Sequence, residues 1–226
     1  MENKKYELTN ETMEYEGYTL HRIKALKSFE DVKEGDLGGW IETEDNLSQE
    51  GNCWIYGNAK VYGKAKVCYN SKVFGDARVY GNAKVYGNAK VYVNAEVCDD
   101  AEVCGNARVF DNARVCDDAS IFGMAMIFGI IKVSGGVVVN SGIKLASKNK
   151  EVCISNNDQI KAISSIGSRN STTTFFKDIY TNIIYVVCDC FSGTIDEFKE
   201  RVIETHGDNK YAEQYLDAIE YIKKIL

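Results

Sequence analysis

The sequence predicts a mainly β protein: a parallel β-helix with three hexapeptides per coil, an N-terminal cap, and a C-terminal α+β domain ending in two helices. Three observations predict it. An aliphatic residue recurs at every sixth position from Ile55 to Val139, a small residue (usually alanine) lies two positions before it from Cys53 to Ala125, and a pair drawn from Gly, Asn and Asp separates most phrases. Small and aliphatic slots two apart fall on one face of a strand, while the residues between and after them point to the other. The Gly-Asn, Gly-Asp, Asp-Asn and Asp-Asp pairs suit corners, where φ turns positive and side chains bond to the local backbone. Short strands joined by corners at a fixed period form a stack in which each coil hydrogen-bonds to the next and no repeat is stable alone.

Three hexapeptides per coil place residues 18 apart as vertical neighbours, about 4.8 Å from one another. On that spacing the outward slot after the aliphatic sorts into columns. One holds Tyr56, Phe74, Tyr92, Phe110 and Phe128, aromatic at every level; the second runs Tyr62, Tyr80, Cys98, Cys116, Ser134; the third runs Cys68, Tyr86, Cys104, Phe122, Asn140. A period of 12 gives no such segregation. Charges agree, since Glu96 falls between Arg78 and Arg114, and Glu102 falls beside Lys84, which sets opposite signs on neighbouring rungs.

A solenoid exposes core at both ends and needs caps. Residues 1–46 supply the first, with strand-like EYEGYTLHRIKAL and a tight GDLGGW turn that delivers Trp40 onto the first coil. Residues 47–146 hold the repeats, and near their end Ile131, Val137 and Ile143 replace alanine, so the last coil is expected to be covered. In residues 147–226 the period is lost: the β-like runs EVCIS, STTTFF and NIIYVVCDCF precede two helices. The first opens on a capping box, Thr194 to Glu197, and sets Ile195, Phe198 and Val202 on one side before Gly207 stops it. The second runs from about Asn209, with Tyr215, Ile219, Ile222 and Leu226 as its apolar stripe.

Composition narrows the function classes. No apolar run approaches the roughly 18–20 residues needed to cross a bilayer, and the acidic, polar start lacks the apolar core of a secretory signal, so the expected place is a cytosol without membrane contact. Of the eight cysteines none forms a CxxC pair, and five alternate with Tyr and Phe in the repeats. They read as reduced thiols filling aromatic-sized slots, rather than disulfides or a metal site, and the same holds for the CxC of Cys188 and Cys190. Residues 1–46 hold six basic and twelve acidic side chains, 47–146 eleven and nine, and 147–226 ten and twelve. A solenoid that mimics DNA should carry its negative charge along the repeats, so that class is disfavoured.

The V-Y-G-N-A-K phrase resembles the bacterial hexapeptide repeat of left-handed β-helices. Residues 28–59, SFEDVKEGDLGGWIETEDNLSQEGNCWIYGNA, resemble the opening of YdcK-like β-helix proteins, and FSGTIDEFKERVIETHGDNKYAEQY (191–215) is similar to the ending of phage and prophage accessory proteins. The resemblance implies a left-handed coil. It also implies a phage-type accessory role in a bacterial host cytosol, interfering with a host process such as antiviral defence. Its members' function is largely unassigned, so it assigns no catalytic residue.

Hexapeptide acyltransferases use a histidine base near the coils, because a proton must leave as the acyl bond forms. Residues 47–146 contain none; His21 lies in the strand-like LHRIKAL and His206 at a helix end. The repeats carry no long loop insertion, and there is no phosphate-binding glycine motif, HExxH or GxSxG. The expectation is therefore a protein that is not an enzyme and uses no cofactor, with an acyltransferase as the alternative and a structural scaffold as a third reading. The slots beside the aromatic column are Trp54, Lys72, Lys90, Arg108 and Met126, so one side of the prism combines a ladder of rings with three cations that no acid on that side balances. A contiguous apolar strip on a surface marks an interface. The candidate face is therefore Tyr56, Lys72, Phe74, Lys90, Tyr92, Arg108, Phe110 and Phe128, its partner another copy in a homotrimer, a nucleotide, or a host protein.

Overall fold

The computed structural model describes residues 4–140, 143–189 and 191–226. Its centre is a parallel β-solenoid of two-residue strands joined by corners. Strand pairing runs 18 residues to the rung, as in Lys72 beside Lys90, Arg78 beside Glu96 and Lys84 beside Glu102. Three faces result. The first has six rungs, at Trp54, Lys72, Lys90, Arg108, Met126 and Lys144. The second carries Lys60, Arg78, Glu96, Arg114 and Lys132, and the third Lys66, Lys84, Glu102, Ser120 and Val138.

The phrase explains the packing. Each alanine and each aliphatic points inward and is fully buried, so the interior is a column of methyl groups close-packed at rung spacing. Corners turn at the residue after the outward slot, which takes φ between 55° and 78° at Gly57, Gly75, Asp99, Asp117 and Gly129 among others. Where that residue is Asp, its carboxylate accepts the backbone N–H one rung on: Asp111 from Gly129 at 3.2 Å and Asp117 from Gly135 at 3.0 Å. The following asparagines bond to one another along the corners, Asn70 to Asn88 and Asn88 to Asn106 at 3.2 Å each.

The N-terminal cap is a hairpin, β1 (Tyr6–Tyr15) and β2 (Tyr18–Ala25), followed by β3 (Leu37–Ile41). β3 pairs in parallel with the Lys60–Val61 strand, and so extends the second face beyond the first coil. The tight turn lies earlier than GDLGGW suggests: Asp36 N–H closes onto Lys33 C=O with Gly35 at φ 91°, and Leu37–Ile41 is already strand. The reason is contact, because Gly38 and Gly39 lie hard against Ile23, Ile55 and the carbonyl of Ala59. Trp40 does land on the coil, packed with Leu20 and Tyr62.

At the other end two longer strands, Met126–Val133 and Lys144–Ile154, run past corners and join the first face to the second. A four-stranded antiparallel sheet follows, ordered Ile160–Ile166, Ser171–Lys177, Ile184–Cys188, Phe191–Thr194. Its alternation assigns its two faces: Phe176, Tyr185 and Val187 cover the open end of the solenoid, whereas Phe175, Val186 and Cys188 meet the helices. α1 (Ile195–His206) starts at the expected capping box, Glu197 N–H to Thr194 Oγ1 at 3.3 Å and Thr194 N–H to Glu197 Oε2 at 2.7 Å. α2 (Lys210–Ile225) starts at Asn209 and lays Tyr215, Ile219 and Ile222 on the sheet.

Candidate binding face

The first face brings the predicted ladder together. Phe74, Tyr92, Phe110 and Phe128 stack with centroids 4.7, 4.8 and 4.9 Å apart and ring planes within 6° of parallel. Tyr56 turns edge-on to Phe74, with centroids 6.4 Å apart and planes at 86°. Register forces this, since the valines and isoleucine beneath the rings are paired strand neighbours and the rings have little room to splay. Face-to-face stacking leaves ring edges, not ring faces, toward solvent, and all five rings are half-buried. The edges carry the positive end of the aromatic quadrupole.

The cap reshapes one end of this face. Tyr56 donates to Asp31 Oδ1 at 2.9 Å, and Lys72 Nζ meets Asp31 at 2.7 Å and Glu30 at 2.8 Å. Burial followed by the Asp31 hydrogen bond pushes the Tyr56 phenol up to about 12. Burial opposes the charge of Lys72, yet its bonds to Asp31, Glu30 and Tyr56 hold the ammonium above its ordinary range. The expectation of three unbalanced cations is therefore corrected at Lys72. Trp54 is corrected too: it points out of the coil but is buried under Tyr6 and Phe29 of the cap, 6.2 and 5.5 Å away by ring centroid.

Lys90 and Arg108 remain exposed, and neither is within ion-pairing distance of a carboxylate among the described residues. They sit on adjacent rungs, Lys90 opposite Arg108. On the second face an acid separates two of the stacked cations. There Glu96 bonds to Arg78 and lies 3.7 Å from Arg114. On the third face Lys84 meets Glu102 at 2.8 Å, and that bond lowers the Glu102 carboxyl. Asp31, Tyr56, Lys72, Phe74 and Lys90 line an open groove of about 380 Å³ where the cap meets the ladder.

The histidines lie apart from this face. His21 is in β2 opposite Ile41, and His206 ends α1 with its ring 5.9 Å from that of Tyr215. Seven cysteines are free thiols among the described residues, and Cys190 of the CxC lies outside them. No helix among the described residues is long and apolar enough to cross a membrane.

No family model matches this chain. Over 37 residues, 16% of this chain and 11% of the relative, the sequence is 57% identical to the uncharacterized acetyltransferase YdcK of Escherichia coli (strain K12). The similarity therefore spans about a tenth of that protein's length, and with the solenoid it fits a hexapeptide-repeat β-helix.

Proposed function

We propose that the chain is a non-catalytic binding scaffold whose first face holds a partner presenting acidic groups beside apolar ones. One observation carries this reading: Lys90 and Arg108 are stacked, exposed and without an ion-pairing acid among the described residues, directly beside the half-buried ring ladder of the same face. Like charges on adjacent strands cost stability, and an acidic partner relieves that cost. The rings spend their faces on each other, so a nucleotide would meet this surface through its phosphates more than by stacking its base. A two-fold contact through this patch would bring Lys90 and Arg108 of the two copies together, whereas a homotrimer, whose contacts join unlike surfaces, would need an acidic face of the neighbouring copy against them. In a phage setting such a scaffold acts by blocking a host protein or holding a nucleotide signal.

A second reading, acetyl transfer, is favoured by the name of the YdcK relative. Thermal melting against acetyl-CoA and against cyclic nucleotides separates the two, since a ligand held by the folded state raises its melting temperature. Sedimentation of the parent and of Phe74→Glu/Phe110→Glu reports on assembly. The proposal expects any stabilising acidic ligand to lose its effect in Lys90→Glu/Arg108→Glu, with an unchanged sedimentation coefficient for the free protein. Stabilisation by acetyl-CoA that survives that double change, together with turnover lost in His21→Ala or His206→Ala, would overturn it.

A further inference from the structure

The chain writes Cys-Asp-Asp-Ala twice, at 98–101 and at 116–119, on consecutive rungs of one corner beside the second face. The pairing of Val97 with Val115 sets Cys98 directly over Cys116. Both cysteines are buried, whereas Asp99 is exposed, and the two sulfurs and the Asp99 carboxylate lie within 4.8 Å of one another. Asp99 takes φ 58°, where glycine stands at most other corners, and its Oδ2 accepts both the Cys98 thiol and the Asp117 N–H at 3.4 Å. The carboxylate is thus held toward the sulfurs by the backbone of the next rung.

We propose that Cys98, Cys116 and Asp99 bind a borderline-soft divalent cation of the zinc class, with the fourth position open to water on the Asp99 side. Metal–sulfur bonds of about 2.3 Å and metal–oxygen bonds of about 2.0–2.2 Å span a triangle of this size after small side-chain rotations. Two thiolates exclude magnesium and calcium, which take oxygen ligands. Binding converts two thiols to thiolates and releases their protons to solvent, and affinity therefore rises with pH. Arg114, whose Nη2 is 3.8 Å from Cys98 Sγ, opposes the cation with one charge against three.

The test uses the full chain, reduced and stripped with a chelator, and titrated with Co²⁺ followed by Zn²⁺. The expected result is about one equivalent bound, with a sulfur-to-cobalt charge-transfer band that Zn²⁺ displaces. Cys98→Ser and Cys116→Ser each abolish the band; Ser134 occupies the same slot one rung on, so serine fits the column. Asp99→Asn keeps the band, since both sulfurs remain, and weakens binding, since a charged oxygen ligand is lost. Cys104→Ser, in another column, changes nothing. Absence of the band at saturating Co²⁺, or its persistence in both serine variants, overturns the site.

Discussion

Gly39→Ala tests how the cap is joined to the coils. A Cβ at this position would lie 2.5 Å from Ile55 Cγ2 and 2.6 Å from the carbonyl oxygen of Ala59. Ile55 is fully buried, and its branched side chain cannot swing aside. The carbonyl is backbone, and it accepts the Trp40 N–H at 2.9 Å. To reach ordinary contact, β3 must retreat by the better part of an ångström, which takes that hydrogen bond out of range. Overpacking costs about 1–3 kcal/mol and the lost bond about 0.5–1.5 kcal/mol, so the expected loss is about 3 kcal/mol. For a chain of this size that is roughly 6–12 °C in melting temperature. Both tryptophans, Trp40 and Trp54, are buried at this junction, so fluorescence during urea unfolding reads it directly. Gly136→Ala is the control, because nothing lies within 4 Å of its Cβ position, and it should shift stability by no more than about 1 kcal/mol. A Gly39→Ala protein with the parent's urea midpoint would refute the close-approach argument.

Two further outcomes are expected. Asp178 is buried and accepts hydrogen bonds from Cys153 N at 2.8 Å, Thr181 N at 2.7 Å and Thr181 Oγ1 at 2.6 Å. Burial alone would raise this carboxyl, but those donors bring it below its ordinary value. Its contribution is thus complete above the unfolded carboxyl's range and is lost as pH falls through the lower folded value; Asp178→Asn should cost about 1.5–3 kcal/mol at neutral pH and shrink that acid loss. Glu96→Arg would stack three arginines on successive rungs of the second face, and urea unfolding at low salt should show a loss of about 1–2 kcal/mol that added salt reduces.

The repeat was legible because every coil offers the same environment: alanine and valine two apart report a buried strand face whatever their neighbours. The ladder and the Arg78–Glu96–Arg114 alternation followed from spacing alone, and both helices announced themselves by their caps at Thr194 and Asn209. What stayed hidden involves contacts between segments unrelated by the period. Nothing in residues 29–32 shows that Glu30 and Asp31 reach Lys72, or that Phe29 covers Trp54. The Ile160–Ile166 strand was missed because IKAISSI mixes serines and apolar residues without clean alternation, and its partner Ser171–Lys177 decides it. The Cys98, Asp99 and Cys116 cluster did leave a signal, the duplicated Cys-Asp-Asp-Ala, which reads as ordinary corner chemistry until the rungs are stacked.

Near-identical phrases invite mis-threading, since a coil looped out during folding leaves almost every valine and alanine with an equivalent neighbour. The second face penalises that error. Skipping the coil that contains Glu96 sets Arg78 against Arg114, two guanidiniums at strand spacing with their shared carboxylate gone. Lys84 likewise loses Glu102 and meets Ser120. Glu96 and Glu102 thus mark their own coil as one that cannot be left out, a distinction that the methyl core does not make.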